Sequence, residues 1–385
     1  MKLTSGARCS LAACLVAALL AACSHTQAKV GTVWSPKAAA NYLDQREAWW
    51  MGWKVAARDH ETFCVSCHTA LPYALSRVAL REAIADETPS VNERRLLDNV
   101  SKRVRLWKEI APYYSDQEYG DGKTAESRGT EAVLNALILV SHDARLGQLS
   151  DDARAAFDNM WALQQTTGEG RGAWRWLQFD LRPWEAGDSE YFGAALAALA
   201  VGIAPENYRV RSEIQSNLKL LSEYLDRQYS KQSLFNRLVL LWASTKWPSV
   251  IDLERQESII REIRDKQRED GGWGLSSLER TWKGASLRAY ARSWIRQDGT
   301  IVERRSDGYA TGLVTLILQQ QGSASESVCL QRGLDWLERN QNKTGGWWPA
   351  YSLNKRRNPS SDIGRFMSDA ATAYAVLALT EAKHH

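Results

Sequence analysis

The segment "HETFCVSCHTALPYAL", residues 60–75, places two cysteines and a histidine at the spacing Cys-x-x-Cys-His. In c-type haem attachment two thiols, here those of Cys64 and Cys67, bond to the porphyrin vinyl groups, and the adjacent His68 binds the iron. The spacing therefore predicts one covalently bound haem c. Three other interpretations stay open: a dithiol/disulfide pair, a zinc site that lacks a fourth ligand nearby, and two cysteines that only pack in the core.

A haem iron held by His68 has a second face, and the sequence offers three ligands for it. His60 lies four residues before Cys64, Met51 lies within a group of tryptophans, and Met367 lies far along the chain. His60 and Met51 are the nearer candidates. The sequence leaves open whether one of them binds the iron or whether the second face stays free for ligand or oxygen chemistry.

The first 22 residues have the composition of an export signal. Lys2 and Arg8 precede an apolar run, and no acidic residue occurs there. The run ends in "LAAC" at residues 20–23, which resembles the lipobox of bacterial lipoproteins, and this resemblance implies that Cys23 is acylated and becomes the mature N-terminus. The alternatives are an uncleaved anchor and an ordinary signal cleaved nearby, but the run is shorter than the ~20 residues of a spanning helix.

These features predict a protein in the bacterial cell envelope. We expect residues 1–22 to be removed, residues 23–34 to act as a tether, and the rest to face the periplasm from a lipid anchor in the membrane. Ser24 follows the cysteine. In lipoproteins without Asp at that place the usual destination is the outer membrane, which the resemblance therefore implies here.

The composition of the chain limits its possible partners and the possible roles of its cysteines. The 385 residues contain 49 Lys+Arg and 45 Asp+Glu, a nearly balanced charge that predicts no nucleic-acid partner. Of the six cysteines, three belong to the leader and the lipid anchor, which leaves Cys64, Cys67 and Cys329. Three thiols do not make a disulfide scaffold. Cys329 is expected to be a small buried residue on a helix.

A pattern of glutamine, glycine and tryptophan recurs along the chain, as "QREDGGWG" at 267–274, "QNKTGGWW" at 341–348 and, more loosely, "QQTTGEGRGAW" at 164–174. Each copy follows a segment with apolar residues at helical spacing and precedes a helix rich in small residues. Together with three weaker units, the pattern predicts about six helix pairs and no convincing strands. We therefore expect residues 35–385 to form one all-α domain.

This pattern resembles the QW-type repeats of the terpenoid cyclase and protein prenyltransferase superfamily, as in the C-terminal part of squalene-hopene cyclases. The resemblance covers about residues 35 to 382 and implies an α/α toroid, in which inner and outer rings of helices surround a central cavity. Within it, Gln267, Trp273, Gln341 and Trp347 are expected to tie the ends of outer helices to neighbouring turns. Aligning the small-residue helices places residues 64–68 at the N-terminal end of the first inner helix, on the rim of the cavity.

The catalytic groups of that superfamily have no match in this sequence. Neither the Asp-x-Asp-Asp acid of the cyclases nor the zinc ligands of the prenyltransferases occur. A cyclase would need another acid, and the candidates are Asp188, Asp307 and Asp369, at the starts of inner helices. Helix capping explains the recurrence of these aspartates more simply.

Two long loops are rich in basic residues and are expected to lie on the same rim as residues 64–68. The first carries Arg280, Lys283, Arg288, Arg292, Arg296, Arg304 and Arg305, and the second carries Lys355, Arg356 and Arg357. Such a surface attracts an acidic electron-transfer partner, anionic lipid or a phosphorylated substrate, or it is simply a solvated face.

Three functions follow from these observations. The leading hypothesis is an exported lipoprotein whose toroid carries one haem c and acts in electron transfer or haem redox chemistry, with a haem-dependent oxidoreductase as its enzymatic form. The second is a non-haem toroid that binds an isoprenoid or another lipid in its cavity. The third is a terpene cyclase-like enzyme that lacks the Asp-x-Asp-Asp acid.

Overall fold

Helices form most of the computed structural model, which describes residues 34–280, 286–322 and 327–382. The helical content confirms the prediction of an all-α fold in its coarse form. The predictions about residues 1–33, including lipidation of Cys23, and about Lys283 fall outside the described residues. One small difference from the prediction is a hairpin with two residues in each strand, which directly precedes Cys64.

The elements are numbered in chain order. They are α1 (Pro36–Gly52), β1 (Ala57–Arg58), β2 (Thr62–Phe63), α2 (Ala70–Ala83), α3 (Val91–Arg105), α4 (Asp116–Tyr119), α5 (Lys123–Asp143), α6 (Asp151–Ala162), α7 (Ser189–Ile203), α8 (Gln215–Gln228), α9 (Leu234–Ser244), α10 (Leu253–Asp265), α11 (Leu275–Glu279), α12 (Leu287–Ser293), α13 (Gly308–Gln321), α14 (Ser327–Asn340) and α15 (Phe366–Glu381). Short 3-10 turns occur at Tyr208–Val210, Ser212–Ile214, Tyr229–Lys231, Pro248–Val250 and Ile363–Arg365.

Six of these helices contact one another in a closed cycle. In order they are α2, α5, α7, α9, α13 and α15, and α15 contacts α2 again. They are apolar or small-residue helices buried on nearly every side, as a helix surrounded by other helices must be. A second set, α1, α3, α6, α8, α10 and α14, packs against them from outside. These outer helices are amphipathic; α10, for example, buries only Ile259 and Ile263.

Small residues allow the inner helices to approach closely. Gly312 in α13 faces the backbone of α15, where a Cβ atom added to the glycine would lie 2.5 Å from the backbone nitrogen of Ala375. No side chain fits at that distance. The alanine-rich composition seen in the sequence is therefore a packing requirement of neighbouring inner helices.

Three glutamines connect the end of one outer helix to the start of another. Each amide group donates two hydrogen bonds, one to a glycine carbonyl in its own turn and one to a backbone carbonyl of another outer helix or its cap. The pairs are Gln164 to Gly172 and Asn217 (2.9 and 3.0 Å), Gln267 to Gly271 and Cys329 (2.9 and 2.8 Å), and Gln341 to Gly346 and Ser35 (3.0 and 3.0 Å). The last pair joins the end of α14, the last outer helix, to the cap of α1, the first.

Three tryptophans anchor the same turns. Each indole nitrogen donates to a carbonyl near the end of the preceding outer helix, and the pairs are Trp174 to Met160 (2.6 Å), Trp273 to Ile263 (2.8 Å) and Trp348 to Leu337 (2.8 Å). The sequence pattern had pointed to Trp347, but Trp348 lies in this position, two residues after a glycine with positive φ, as Trp273 does after Gly271. No helix in the described ranges is both long and apolar enough to cross a membrane.

Candidate functional site

The Cys-x-x-Cys-His segment begins at a small hairpin and ends at the first inner helix. Strands β1 and β2 pair Ala57 with Phe63. Asn99 of α3 holds the second strand, since its side chain accepts from Phe63 N (2.9 Å) and donates to Phe63 O (3.1 Å). The indole of Trp50 donates to the carbonyl of Cys64 (2.6 Å). These bonds fix the backbone immediately before the motif.

The start of α2 sets the orientation of His68. The Ser66 hydroxyl accepts from the backbone nitrogens of Thr69 (3.2 Å) and Ala70 (3.0 Å), which satisfies two donors of the first helical turn. The motif therefore lies at the N-terminal end of the first inner helix, as the alignment of small-residue helices predicted.

A buried ion pair contacts the hairpin of β1 and β2. Arg103 of α3 and Glu131 of α5 are fully buried and make two hydrogen bonds to each other. Arg103 also donates to the Thr62 hydroxyl (2.7 Å) and to the carbonyl of Ala111 (2.9 Å), and its guanidinium lies over the ring of Tyr113. One side chain thus connects two helices, the hairpin and the loop after α3.

The two thiols of the motif are enclosed by protein. Cys64 and Cys67 are 6% and 5% exposed and are not bonded to each other. Burial raises the pKa of Cys64 to about 12 and that of Cys67 well above its ordinary value. Because the thiolate is the reactive form, neither cysteine is a good nucleophile in the folded protein.

His68 is held by a chain of three hydrogen-bonded side chains. Its Nδ1 lies 2.8 Å from the Thr69 hydroxyl, which donates to Asp369 (2.9 Å). Asp369 also accepts from Arg46 (2.8 Å) and Tyr42 (2.8 Å). The threonine hydroxyl has one hydrogen, which it uses in the hydrogen bond to the carboxylate. Its oxygen therefore accepts a hydrogen bond from Nδ1–H of His68. The proton of the neutral imidazole therefore lies on Nδ1, and Nε2 carries a free lone pair.

Aromatic rings enclose the imidazole. Phe366 stacks on it at 3.8 Å between centroids, Trp50 meets it edge-on at 5.0 Å, and Trp184 lies at 5.8 Å. Removal from water, with a smaller contribution from Arg46, lowers the pKa of His68 to about 3. Because of this low pKa, the imidazole of His68 is neutral across the physiological pH range. Part of the ring still faces a cavity.

The cavity beside His68 has a volume of about 240 Å³. Its wall is aromatic and its rim is charged. It is lined by Trp50, Trp53, Val55, Arg58, His68, Tyr114, Leu181, Arg182, Trp184, Glu185, Ser352, Asn354, Arg357, Ile363, Gly364, Phe366 and Met367. Nε2 of His68 makes no hydrogen bond to any residue in the described part of the chain. Burial raises the pKa of Glu185 to about 7.

The structure separates the predicted site residues into two groups. His68 and Met367 line the cavity, whereas the side chains of Cys64 and Cys67 lie behind its wall. His60 is exposed in the hairpin turn with a φ of 51°, and Met51 is buried in α1; neither lines the cavity. Within the described ranges no three His, Cys, Asp or Glu side chains are grouped to hold a metal ion, as the zinc interpretation requires.

The aspartates considered as cyclase acids all have partners. Asp307 accepts from the backbone nitrogens of Leu275 (2.6 Å) and Ala310 (2.9 Å) and caps α13, and burial raises its pKa to about 7. Asp188 pairs with Arg182 at 3.2 Å, and Asp369 is held by Arg46. Not one of the three lines the cavity beside His68.

The basic loops divide between structural and exposed residues. Arg296 donates to Ser352 O (2.8 Å) and Arg280 donates to Leu353 O (3.2 Å), so these two hold the second loop. The exposed members are Arg288, Arg292, Arg304, Arg305, Lys355, Arg356 and Arg357. The second loop borders the cavity of His68 through Arg357, which agrees with the expected shared rim.

Comparison with models of known protein families and with curated proteins found no match.

Proposed function

We propose that this protein is an α/α toroid of the terpenoid cyclase and prenyltransferase type that carries one covalent haem c, and that it acts in electron transfer or haem redox chemistry. Cys64 and Cys67 would hold the haem, and His68 would bind its iron. The observation that carries the proposal is that His68 lines a cavity while its Nδ1 is anchored by Thr69 and its Nε2 has no hydrogen-bond partner in the described part of the chain. The closed cycle of helices and the bonds of Gln164, Gln267 and Gln341 support the fold.

Anchoring of the far nitrogen is how proteins orient a histidine that binds iron. Here Thr69 and Asp369 anchor Nδ1 of His68, and the positive charge of the buried Arg46 balances the negative charge of Asp369. Haem c, when bound, supplies a one-electron iron couple. Trp50, Trp184 and Phe366 would exclude water from the ligand side of His68, and Met367, which lines the same cavity, would supply a sulfur ligand.

The cavity beside His68 would hold such a group only if it joined a neighbouring groove. The cavity of about 240 Å³ is below the ~300–1,000 Å³ usual for ligand sites. A groove of about 510 Å³ shares Trp53, Arg357 and Ile363 with it. Outward movement of the loop that carries Arg357 would join the two, and Arg58 and Arg357 would then face the ligand's carboxylates.

The buried state of the thiols implies an order of events. Because Cys64 and Cys67 have raised pKa values and lie behind the cavity wall, they would react with a haem before the chain folds around them. Adding haem to the folded protein should therefore give no covalent product.

Expression of the full chain with a c-type maturation system tests the proposal. We expect a pyridine haemochrome spectrum of haem c and haem that stays with the chain on a denaturing gel. The double variant Cys64→Ser with Cys67→Ser should lose that covalent attachment, while Cys329→Ser, the matched control, should keep it. Thr69→Val should keep the haem but shift its midpoint potential, and Thr69→Ser should restore the original value.

A second candidate is a toroid that binds an isoprenoid or another apolar molecule without haem. The position of the thiols outside the cavity, together with its aromatic wall, favours it. If the wild-type chain matures without haem, its three mature thiols titrate after denaturation and a lipid co-purifies, the haem proposal is refuted and this one is supported.

The exposed Lys355, Arg356 and Arg357 beside the cavity suit an acidic electron-transfer partner. We expect the rate of reduction by an acidic donor protein to fall several-fold between ~0.01 and ~0.15 M salt, because the Debye length shortens from about 30 to about 8 Å. A rate that does not change with salt would count against this surface.

We also propose that the protein is held in the bacterial cell envelope, facing the periplasm, by lipid on Cys23. The leader pattern supports this. In a bacterial host the wild-type chain should sediment with membranes, and Cys23→Ser should shift it to the soluble periplasmic fraction. Sedimentation of both forms with membranes would contradict the anchor.

A further inference from the structure

A second cavity lies at the opposite ends of the inner helices from His68. Its volume is about 370 Å³, within the usual range for ligand sites. All six inner helices, with the residues that directly follow α5 and α9, contribute to it. The lining residues are Leu75, Ala79, Glu82, Leu137, Ser141, Ala144, Arg145, Leu199, Ile203, Trp242, Lys246, Gln320, Leu377, Thr380 and Glu381.

Packed aromatic rings separate this cavity from the one beside His68. Trp184 of the first cavity stacks on Tyr309 at 5.8 Å, Tyr309 stacks on Tyr374 at 5.1 Å, and Tyr374 meets Trp242 edge-on at 6.0 Å. All four rings are buried. The two cavities share no lining residue, so a ligand of one is independent of the other.

The wall of the second cavity offers few free hydrogen-bond donors, because several of its polar groups are already bonded within the protein. Four leucines, Ile203 and Trp242 are six of its fifteen lining residues, and Ala79 and Ala144 bring the apolar ones to eight. Its hydroxyl groups are already used within their own helices, since Ser141 donates to Leu137 O (2.6 Å) and Thr380 donates to Val376 O (2.8 Å). The indole nitrogen of Trp242 likewise donates to Gln320 (3.2 Å). Such a wall favours an apolar molecule over water.

The C-terminal ends of all six inner helices meet at the mouth of this cavity. Its charged side chains cancel in number, because Glu82 pairs with Arg145 while Lys246 and Glu381 carry opposite charges. The six inner helices all end here, and each C-terminus carries about half a negative charge from its aligned peptide groups. Trp242 also lines this cavity, and an aromatic ring attracts a cation that lies over its face.

We infer that this second cavity binds an amphipathic cation, a molecule with an apolar body and an ammonium head group. The apolar part would lie among Leu137, Leu199 and Leu377, and the head group would lie at the mouth near Trp242. The inference does not depend on the haem proposal, because the two cavities are separate.

Isothermal titration of the full chain with three amphiphiles of one chain length tests this inference. Decyltrimethylammonium, decyl sulfate and decanol, each kept below its micelle concentration, differ only in the head group. We expect one decyltrimethylammonium per chain, bound at least ten-fold more tightly than the other two, with quenching of tryptophan fluorescence that Trp242→Phe removes. Equal or tighter binding of decyl sulfate would overturn the inference.

Two variants on one helix locate the binding. Ala79 lines the second cavity, whereas Ala74, also on α2, lines a different and much smaller one. Ala79→Phe should weaken decyltrimethylammonium binding at least ten-fold, and Ala74→Phe should leave it unchanged. If Ala79→Phe does not fold, Ile203→Trp fills the same cavity from α7. Unchanged binding in a folded cavity-filling variant would refute the site.

Discussion

Replacing Arg103 with alanine should lower the free energy of unfolding by about 3–5 kcal/mol, because the substitution leaves the carboxylate of Glu131 buried without a partner. Both side chains are fully buried, and Arg103 also supports Thr62 in the hairpin that leads to Cys64. Urea denaturation followed by circular dichroism would measure the loss. Hydrogen exchange should show the hairpin opening first, because it loses its main support.

A matched control lies two residues further along the same helix. Arg105 also makes a two-pronged contact with a carboxylate, that of Asp152, but its side chain is 68% exposed. Arg105→Ala should cost no more than about 1 kcal/mol. The double variant Arg103→Met with Glu131→Leu should regain most of the loss, because it removes both charges. Equal effects of Arg103→Ala and Arg105→Ala would contradict this account of the pair.

Replacing Glu47 with glutamine should raise the free energy of unfolding by about 3 kcal/mol at pH 7 and by almost nothing at pH 4. Glu47 lies on α1 and is fully buried, and neither of its carboxylate oxygens has a hydrogen-bond partner in the described part of the chain. Burial, with Asp369 nearby, raises its pKa from 4.5 to about 8. A charged carboxylate there is costly, so the folded protein keeps the proton.

The sign of the pH dependence follows from where the proton is bound. Between pH 4.5 and about 8 the folded protein holds a proton on Glu47 that the unfolded chain has released. Stability therefore falls by roughly 1.4 kcal/mol per pH unit across this window, and the glutamine variant lacks this slope. Denaturation at several pH values measures it. Glu257→Gln, on the exposed side of α10, is the control and should change stability by less than about 0.5 kcal/mol. A wild-type slope that persists in Glu47→Gln would contradict the assignment.

The sequence predicted the helical architecture because its signals are local. Apolar spacing marked the outer helices, small residues marked the inner ones, and glycine next to tryptophan marked the turns. The tryptophan of the last turn was misplaced by one residue, because Trp347 and Trp348 are adjacent and only the positive φ of Gly346 decides which one turns inward. The hairpin before Cys64 was missed, since strands of two residues have no periodicity to detect.

Around His68, the sequence singled out the histidine but not the residues that orient it. Thr69 is adjacent to His68, yet its role depends on Asp369, which lies 300 residues further along the chain. The sequence marks the aspartate as the start of an inner helix, but no local pattern indicates that it accepts a hydrogen bond from Thr69. Phe366, Trp184 and Glu185 carry no motif either. Phe366 begins α15 and the other two lie in a loop, and the positions of both segments depend on the whole fold.

The site around His68 can be completed only late in synthesis. Thr69 bonds to Asp369, and Ser35 bonds to Gln341, and each partner lies about 300 residues further along the chain. At ~5–20 residues per second, the ribosome needs roughly 15–60 s to make the 300 residues that separate Thr69 from Asp369. Throughout that interval the Cys-x-x-Cys-His segment has no α15 to cover it. A chain truncated before Phe366 should therefore leave Cys67, which lies near Tyr374 of α15, more accessible to thiol reagents than it is in the full chain.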